Sequence, residues 1–196
     1  MRLNLVLCIL LMSGVAAAAQ APKPAPKPAA KPAQPQKPLS EAQLLEQLKK
    51  ADSPDAAKLI EEKLAGLYRA SGSPSVDLLM TRVRIAVAAS DKAAAKKLIN
   101  AVTNIAPRYA EGWRTRAALE TAGGDDAAAM VSLQKTVQLN PRHFTAMIEL
   151  GDLLQEYGDK AQALKLFRRA AELNPQMEGA ERRIRELTRA VEGQDI

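Results

Sequence analysis

His143 is the single histidine in a chain of 196 residues, and it stands directly after Pro141 and Arg142. A hydrolytic triad would need a serine on a rigid turn and a carboxylate to orient the imidazole. The sequence has no Gly-x-Ser-x-Gly elbow. Zinc would need three or four ligands, and no His/Cys cluster or His-x-x-x-His spacing supplies them. Gly123 and Gly124 lead into no Lys-Ser or Lys-Thr, so they form no phosphate loop. Asp125 and Asp126 resemble paired acids, but they sit where a helix starts, and the helix dipole favours carboxylates there. His143 therefore reads as a junction residue. The chain is expected to have no catalytic, metal or cofactor residues.

The elements around these residues explain their types. Pro107, Pro141 and Pro175 are spaced by 34 residues, and each ends an apolar helical segment (NIAP, QLNP, ELNP). Asp91, Asp125 and Asp159 keep the same interval, following Ser90, Gly124 and Gly158, as do Ala95, Ala129 and Ala163. Three classes of position in one register define an internal repeat. Apolar residues return every three or four positions, which predicts helix from Leu39 onward. A unit of this length holds two helices and two short turns. The aspartates suit the start of the second helix, and the prolines stop it and redirect the chain.

These residues resemble the tetratricopeptide pattern, W-x2-L-G-x2-Y, then A-x3-F, then P. Residues 144–177 match best, with Leu150 and Gly151 as the central pair, then Ala163, Phe167 and Ala170, and Pro175 at the close. Residues 110–143 offer Trp113 in the leading aromatic position, where the family packs it between the paired helices, and close on Pro141. Residues 76–109 close on Pro107. The central pair departs from the pattern in both of these units: Arg82 and Val83 in the first, Arg116 and Ala117 in the second. The phrases SGSPSVDLLM and RYAEGW are similar to those of small periplasmic tetratricopeptide proteins of alphaproteobacteria. The resemblance implies an all-α fold: a short right-handed superhelical solenoid of antiparallel helix pairs that binds a protein or peptide on its concave face. The family draws that face from a few positions of each first helix. Carried over, these include Met80 and Arg84, then Arg114, then Glu149, Asp152 and Glu156. With Met80 and Arg84 at the fifth and ninth positions, the family's clamp for a C-terminal carboxylate is not expected. The expected groove is polarised instead, with Arg84 and Arg114 toward one end and Glu149, Asp152 and Glu156 toward the other.

One unit cannot bury its apolar face alone, so the units must stack and the ends should be atypical. Residues 39–75 read as an irregular hairpin capping the first unit, with Leu44, Leu45 and Leu48 lining one helix and Leu59, Ile60, Leu64 and Leu67 the other. Residues 178–196 hold a charged capping helix and tail; the helix pattern itself begins near Gln176 and carries Met177, Ala180, Ile184 and Leu187 on its apolar side.

The first 38 residues have a different composition. Residues 1–19 have the layout of a signal peptide, with Arg2, an apolar run from Leu3 to Met12, and small Ala17 and Ala19 before an expected cut. That run is too short to cross a bilayer, which takes about 20 apolar residues. No lipobox precedes Cys8, and its loss with the signal would leave no thiol or disulfide chemistry. Residues 20–38 carry seven prolines and four lysines with no large apolar side chain. Such a segment has nothing to bury against the entropy cost of ordering. It reads as an extended spacer reaching about 60 Å at most, either solvated or touching peptidoglycan or anionic lipid through its lysines. Without these residues, basic and acidic side chains number 23 and 22, and aromatics are sparse, which argues against nucleic acid. The expectation is a periplasmic, non-catalytic scaffold with a protein or peptide partner. The alternative is a self-associating envelope subunit whose groove is filled by its own arm or another protomer.

Overall fold

A computed structural model describes residues 39–193. The expected signal peptide and arm, residues 1–38, lie outside the described residues. Among the described residues there are nine helices and no strand: α1 (Glu41–Lys49), α2 (Pro54–Arg69), α3 (Pro74–Ala88), α4 (Lys92–Ile105), α5 (Ala110–Ala122), α6 (Asp126–Leu139), α7 (Phe144–Glu156), α8 (Lys160–Leu173) and α9 (Ala180–Glu192). The pairs α3/α4, α5/α6 and α7/α8 are the three units of the expected register, and each packs on the next. The expected all-α solenoid is the observed architecture.

The turn inside each unit is one structure built three times. After the first helix the chain passes through a left-handed residue: Ser90 (φ 58°), Gly124 (φ 80°) or Gly158 (φ 90°). The next amide then reaches back five residues, Asp91 to Ala86, Asp125 to Glu120 and Asp159 to Leu154, at 2.9, 2.9 and 2.8 Å. This bond satisfies a carbonyl orphaned at the helix end. The same aspartates accept from the amides of Ala94, Ala128 and Gln162 and so start the second helix. Ser90 is the only non-glycine residue with positive φ among the described residues.

Packing follows the repeat as closely as the turns do. Ala95, Ala129 and Ala163 are fully buried, which lets the paired helices approach. Opposite them, Val83, Ala117 and Gly151 face Ile99, Leu133 and Phe167, all buried. A Cβ on Gly151 would lie 3.1 Å from the Phe167 ring, tighter than ordinary contact, so the missing side chain makes room for the bulk of its partner. Leu150 and Ala170 are buried as expected, and Pro107, Pro141 and Pro175 sit in exposed junctions. Trp113 departs from the expected core position and stays half-buried. Its indole N–H donates to the Pro107 carbonyl at 3.0 Å, and the Arg116 guanidinium lies over the ring at 5.4 Å. A buried indole needs a partner for its N–H, and here that partner lies in the preceding junction rather than between the paired helices.

The C-terminal cap begins later than expected, at Ala180, after a left-handed Gly179 (φ 70°). Leu187 closes over Ala163, Leu164 and Phe167, while Met177 packs elsewhere. The N-terminal hairpin α1/α2 departs more. It does not stack on the first unit. Leu44, Leu45, Leu48, Ala57 and Leu64 form one core with Phe144, Met147 and Ala170 of the third unit. Leu59 and Leu67, expected to line α2, are exposed. The buried face of α2 is set by where the hairpin docks: it keeps the expected Ile60 and Leu64 and adds Ala57.

Two substitutions test this register. Ser90→Gly removes the one strained left-handed side chain and is expected to stabilise the fold by about 1 kcal/mol. Gly151→Leu is expected to cost about 1–3 kcal/mol by overpacking against Phe167. Urea unfolding followed by circular dichroism measures both, and opposite signs are required.

Candidate functional site

The hairpin α1/α2 lies along the edge where each unit joins the next, and it meets every junction at the same repeat position. Tyr109, His143 and Met177 are successive copies of one position, 34 residues apart. The Tyr109 hydroxyl donates to the Arg69 carbonyl at 2.8 Å. His143 stacks on Tyr68 with ring centroids 4.5 Å apart. Met177 packs on the hairpin's leucine core. The neighbouring asparagines repeat the pattern: Asn140 donates to Glu41 at 2.8 Å and Asn174 to Glu61 at 2.6 Å. Gln176 donates to the Ala51 carbonyl at 3.0 Å.

His143 is the centre of this seam. It is the N-cap of α7, where Nδ1 accepts from the Ala146 amide at 3.3 Å. With Nδ1 accepting, the neutral ring carries its proton on Nε2, which faces Glu111 Oε2 at 3.1 Å. The expectation of a junction residue holds, with the addition that both ring nitrogens and one ring face are occupied. Burial pushes the Glu111 carboxyl up, but the His143 hydrogen bond and the Arg114 charge outweigh it and hold the group below its ordinary value. Burial, then the Glu41 carboxylate, push the Tyr68 phenol well above its usual range. Burial raises Tyr109 to about 12. Each phenol therefore stays protonated and can donate.

The expected polarised groove is not what the structure shows. Arg114 and Glu149, placed at opposite ends from sequence, form one ion pair: Arg114 Nε reaches both Glu149 oxygens at 3.2 and 3.1 Å, and Nη2 reaches Oε1 at 2.6 Å. Arg114 Nη1 also donates to Glu111 at 3.1 Å. The two residues are 35 apart, one repeat plus one position, so stacking puts them on adjacent first helices. That spacing was the signal available in the sequence. Asp152 pairs with Arg183 of the cap at 2.8 Å, and burial keeps its carboxyl above the usual value despite that cation. Met80 is buried in the first unit's core and lines no groove. Arg84 remains exposed, held to Thr81 at 2.8 Å, and Glu156 is exposed.

The hairpin covers the side of the concave face near Glu111, Arg114, Phe144 and Thr145, where it lines a shared cleft. The other half remains open as a crease of about 440 Å³ between α5 and α7, floored by Ala117, Ala118, Thr121, Ala122, Leu133 and Leu153 and edged by Glu149 and Asp152. Among the described residues no group of three or more His, Cys, Asp or Glu side chains is placed to hold a metal, and no helix is long and apolar enough to cross a membrane.

This architecture is that of the tetratricopeptide solenoid. The chain superimposes on the first tetratricopeptide domain of Spaghetti (RPAP3) bound to the HSP90 peptide SRMEEVD with a TM-score of 0.54, at 18% identity, over 60% of this chain and 93% of that one. It matches the Sgt2 tetratricopeptide domain of Aspergillus fumigatus at 0.53 and 22%, over 61% and 81%. It matches MamA at 0.55 and 17%, over 76% and 85%. At these identities the likeness shows the fold. No protein-family model matches the chain, and no curated protein sequence matches it.

The seam generates a pH prediction. Glu111 has a folded-state pKa below its unfolded value, so its contribution is complete above about pH 4.3 and is lost as pH falls through the lower folded value. In Glu111→Gln the urea midpoint is expected to fall less between pH 6 and pH 3 than in the parent. Tyr68→Ala is expected to cost about 2–4 kcal/mol and to expose the amides of α1 and α2 to hydrogen exchange before those of α5–α8.

Proposed function

We propose that this chain is a non-catalytic scaffold of the bacterial periplasm or cell envelope that binds a protein or peptide in the open half of its concave face. The observation that carries this reading is the crease itself. Its floor is small and apolar, its edge bears Glu149 and Asp152, and it lies on the surface that first helices present in this fold. The solved structure with the HSP90 peptide supports peptide binding as a use of the scaffold. Arg114 and Arg183 already neutralise the crease-edge acids, so the occupant needs small side chains more than a strong charge. An extended segment fits a floor of alanine and threonine, which offers width for backbone but no deep pocket for an aromatic anchor.

Export rests on the layout of residues 1–19, and removal of the signal would begin the mature chain at Gln20. The second reading, a self-associating subunit with a filled groove, draws support from the hairpin, which fills the other half of the face from within the same chain. Under that reading the crease left uncovered by the hairpin is filled by the arm at residues 20–38 or by another copy of the chain.

A photo-cross-linking amino acid at Ala118 or Thr121 is expected to capture a discrete envelope partner in living cells, while the same group at Val131, exposed on α6, captures none. N-terminal sequencing of the periplasmic fraction is expected to start at Gln20. Cross-links only between copies of the chain would favour the second reading. Protein retained in the cytoplasm would remove the envelope assignment.

A further inference from the structure

The displaced hairpin leaves the leading end of the solenoid bare. In the second and third units, the third, seventh and tenth residues of the 34-residue unit lie on its first helix and face the unit before it. In the third unit these are Ala146, Leu150 and Leu153, all buried, with Ala146 and Leu153 at 0% and 8% exposure against the second unit. In the second unit they are Gly112, Arg116 and Leu119; Gly112 lies against Val102 and Tyr109, and Leu119 packs on the first unit's core. In the first unit they are Leu78, Arg82 and Ile85. Here Leu78 is 55% exposed and Ile85 63%, because α1/α2 turned away to the junction edge. The second helix of the unit adds Ile105, 64% exposed, and two turns before it on α4 Leu98, which is partly buried against the unit's own core. α3 and α4 pack as antiparallel neighbours, so Leu78 and Ile105 belong to one end of this face and Ile85 and Leu98 to the other, with Arg82 between Leu78 and Ile85 on α3.

The occupant can be narrowed by charge. Arg116, the counterpart of Arg82, is paired with Glu120 at 2.7 Å. The residue equivalent to Glu120 in the first unit is Ala86, so Arg82 has no such carboxylate on its own helix. The first unit carries six basic and two acidic residues, whereas the second carries four of each and the third four basic and five acidic. A second copy meeting this face symmetrically would bring Arg82 toward Arg82, while the unit's two acids, Asp77 and Asp91, already accept from Ser71 and the Ala94 amide, and like charges in a desolvated contact are strongly unfavourable. Stacking of one chain's tail on another's head is opposed by the cap, whose outer side is polar, with Glu181, Arg182, Arg185 and Glu186 exposed. Residues 1–38 contain five basic residues and no acidic one, which matches the sign of the face rather than opposing it.

We infer that the leading face of the first unit, Leu78, Arg82, Ile85, Leu98 and Ile105, docks a separate partner protein through an amphipathic helix that carries a carboxylate amid aliphatic side chains. The partner's helix takes the place of a preceding repeat: its aliphatic side chains cover Leu78 and Ile85, and its carboxylate pairs with Arg82. Net positive charge on the unit adds attraction and speeds encounter. This surface is distinct from the concave crease and stands whether or not the crease is used.

The test uses the full chain and two synthetic helical peptides with the same leucine face, one with glutamate at its centre and one with lysine. Fluorescence anisotropy is expected to show the glutamate peptide binding about tenfold more tightly than its lysine twin. Arg82→Glu is expected to reverse that preference. Ile85→Glu, a change at an exposed site checked for unaltered helicity, is expected to abolish binding of both, and Leu78→Lys provides a second such variant. Equal binding of the two peptides, or a preference unmoved by Arg82→Glu, overturns the inference. So does peptide binding lost on Thr121→Arg in the crease but retained in Ile85→Glu. A dimer seen by light scattering that Ile85→Glu dissolves would make a second copy the occupant and would equally overturn it.

Discussion

A two-helix unit has two apolar flanks and can cover neither by itself, so each must find a neighbour. Almost every feature of this molecule follows from how those flanks are covered. Within the solenoid the answer is repetition: buried alanines at one position, close-packed Gly151 and Phe167 at another, and a cap, α9, whose Leu187 seals the last unit. Each contact is local, and stability in such a stack is close to a sum over units and their interfaces. What such a stack lacks is any long-range tie between its ends.

The hairpin α1/α2 supplies that tie. By lying along the junction edge it touches all three junctions at once, through Arg69, Tyr68 and the leucine core. Glu41 and Glu61 are separated by more than a hundred residues of sequence or nearly so from the asparagines they meet, and the edge becomes a continuous polar and apolar seam. The seam joins helices that otherwise contact only their neighbours. Fold and proposed function meet at this point. The hairpin covers one part of the concave face, and the part it leaves uncovered is the crease between α5 and α7.

The same displacement explains the uneven electrostatics. Several charges of the second and third units are paired: Arg114 with Glu149 and Glu111, Arg116 with Glu120, and Asp152 with Arg183 of the cap. The first unit, with no repeat before it, retains Arg82 and an aliphatic patch that the other units bury. A surface of this kind is informative because aliphatic exposure at the end of a stack is what capping units normally prevent.

The repeat was legible in the residues because each of its signals is local. A left-handed turn requires glycine or a tolerant residue, a helix start favours aspartate, and proline stops a helix, whatever lies elsewhere in the chain. Those constraints placed Asp91, Asp125 and Asp159, the repeating alanines and the three junctions, and the structure adds that Ser90 takes the left-handed turn that glycine takes in the other two units. The charge pairs and the hairpin were not legible in this way. Arg114 and Glu149 looked like opposite ends of a groove until stacking set them on adjacent helices. Leu59 and Leu67 looked no different from Leu64 until docking chose a face of α2. Amphipathic pattern tells a helix that one side must be covered, but many surfaces can cover it. Which one does depends on contacts between residues far apart in the chain, such as Tyr68 with His143 and Glu61 with Asn174, and only the tertiary structure brings those together.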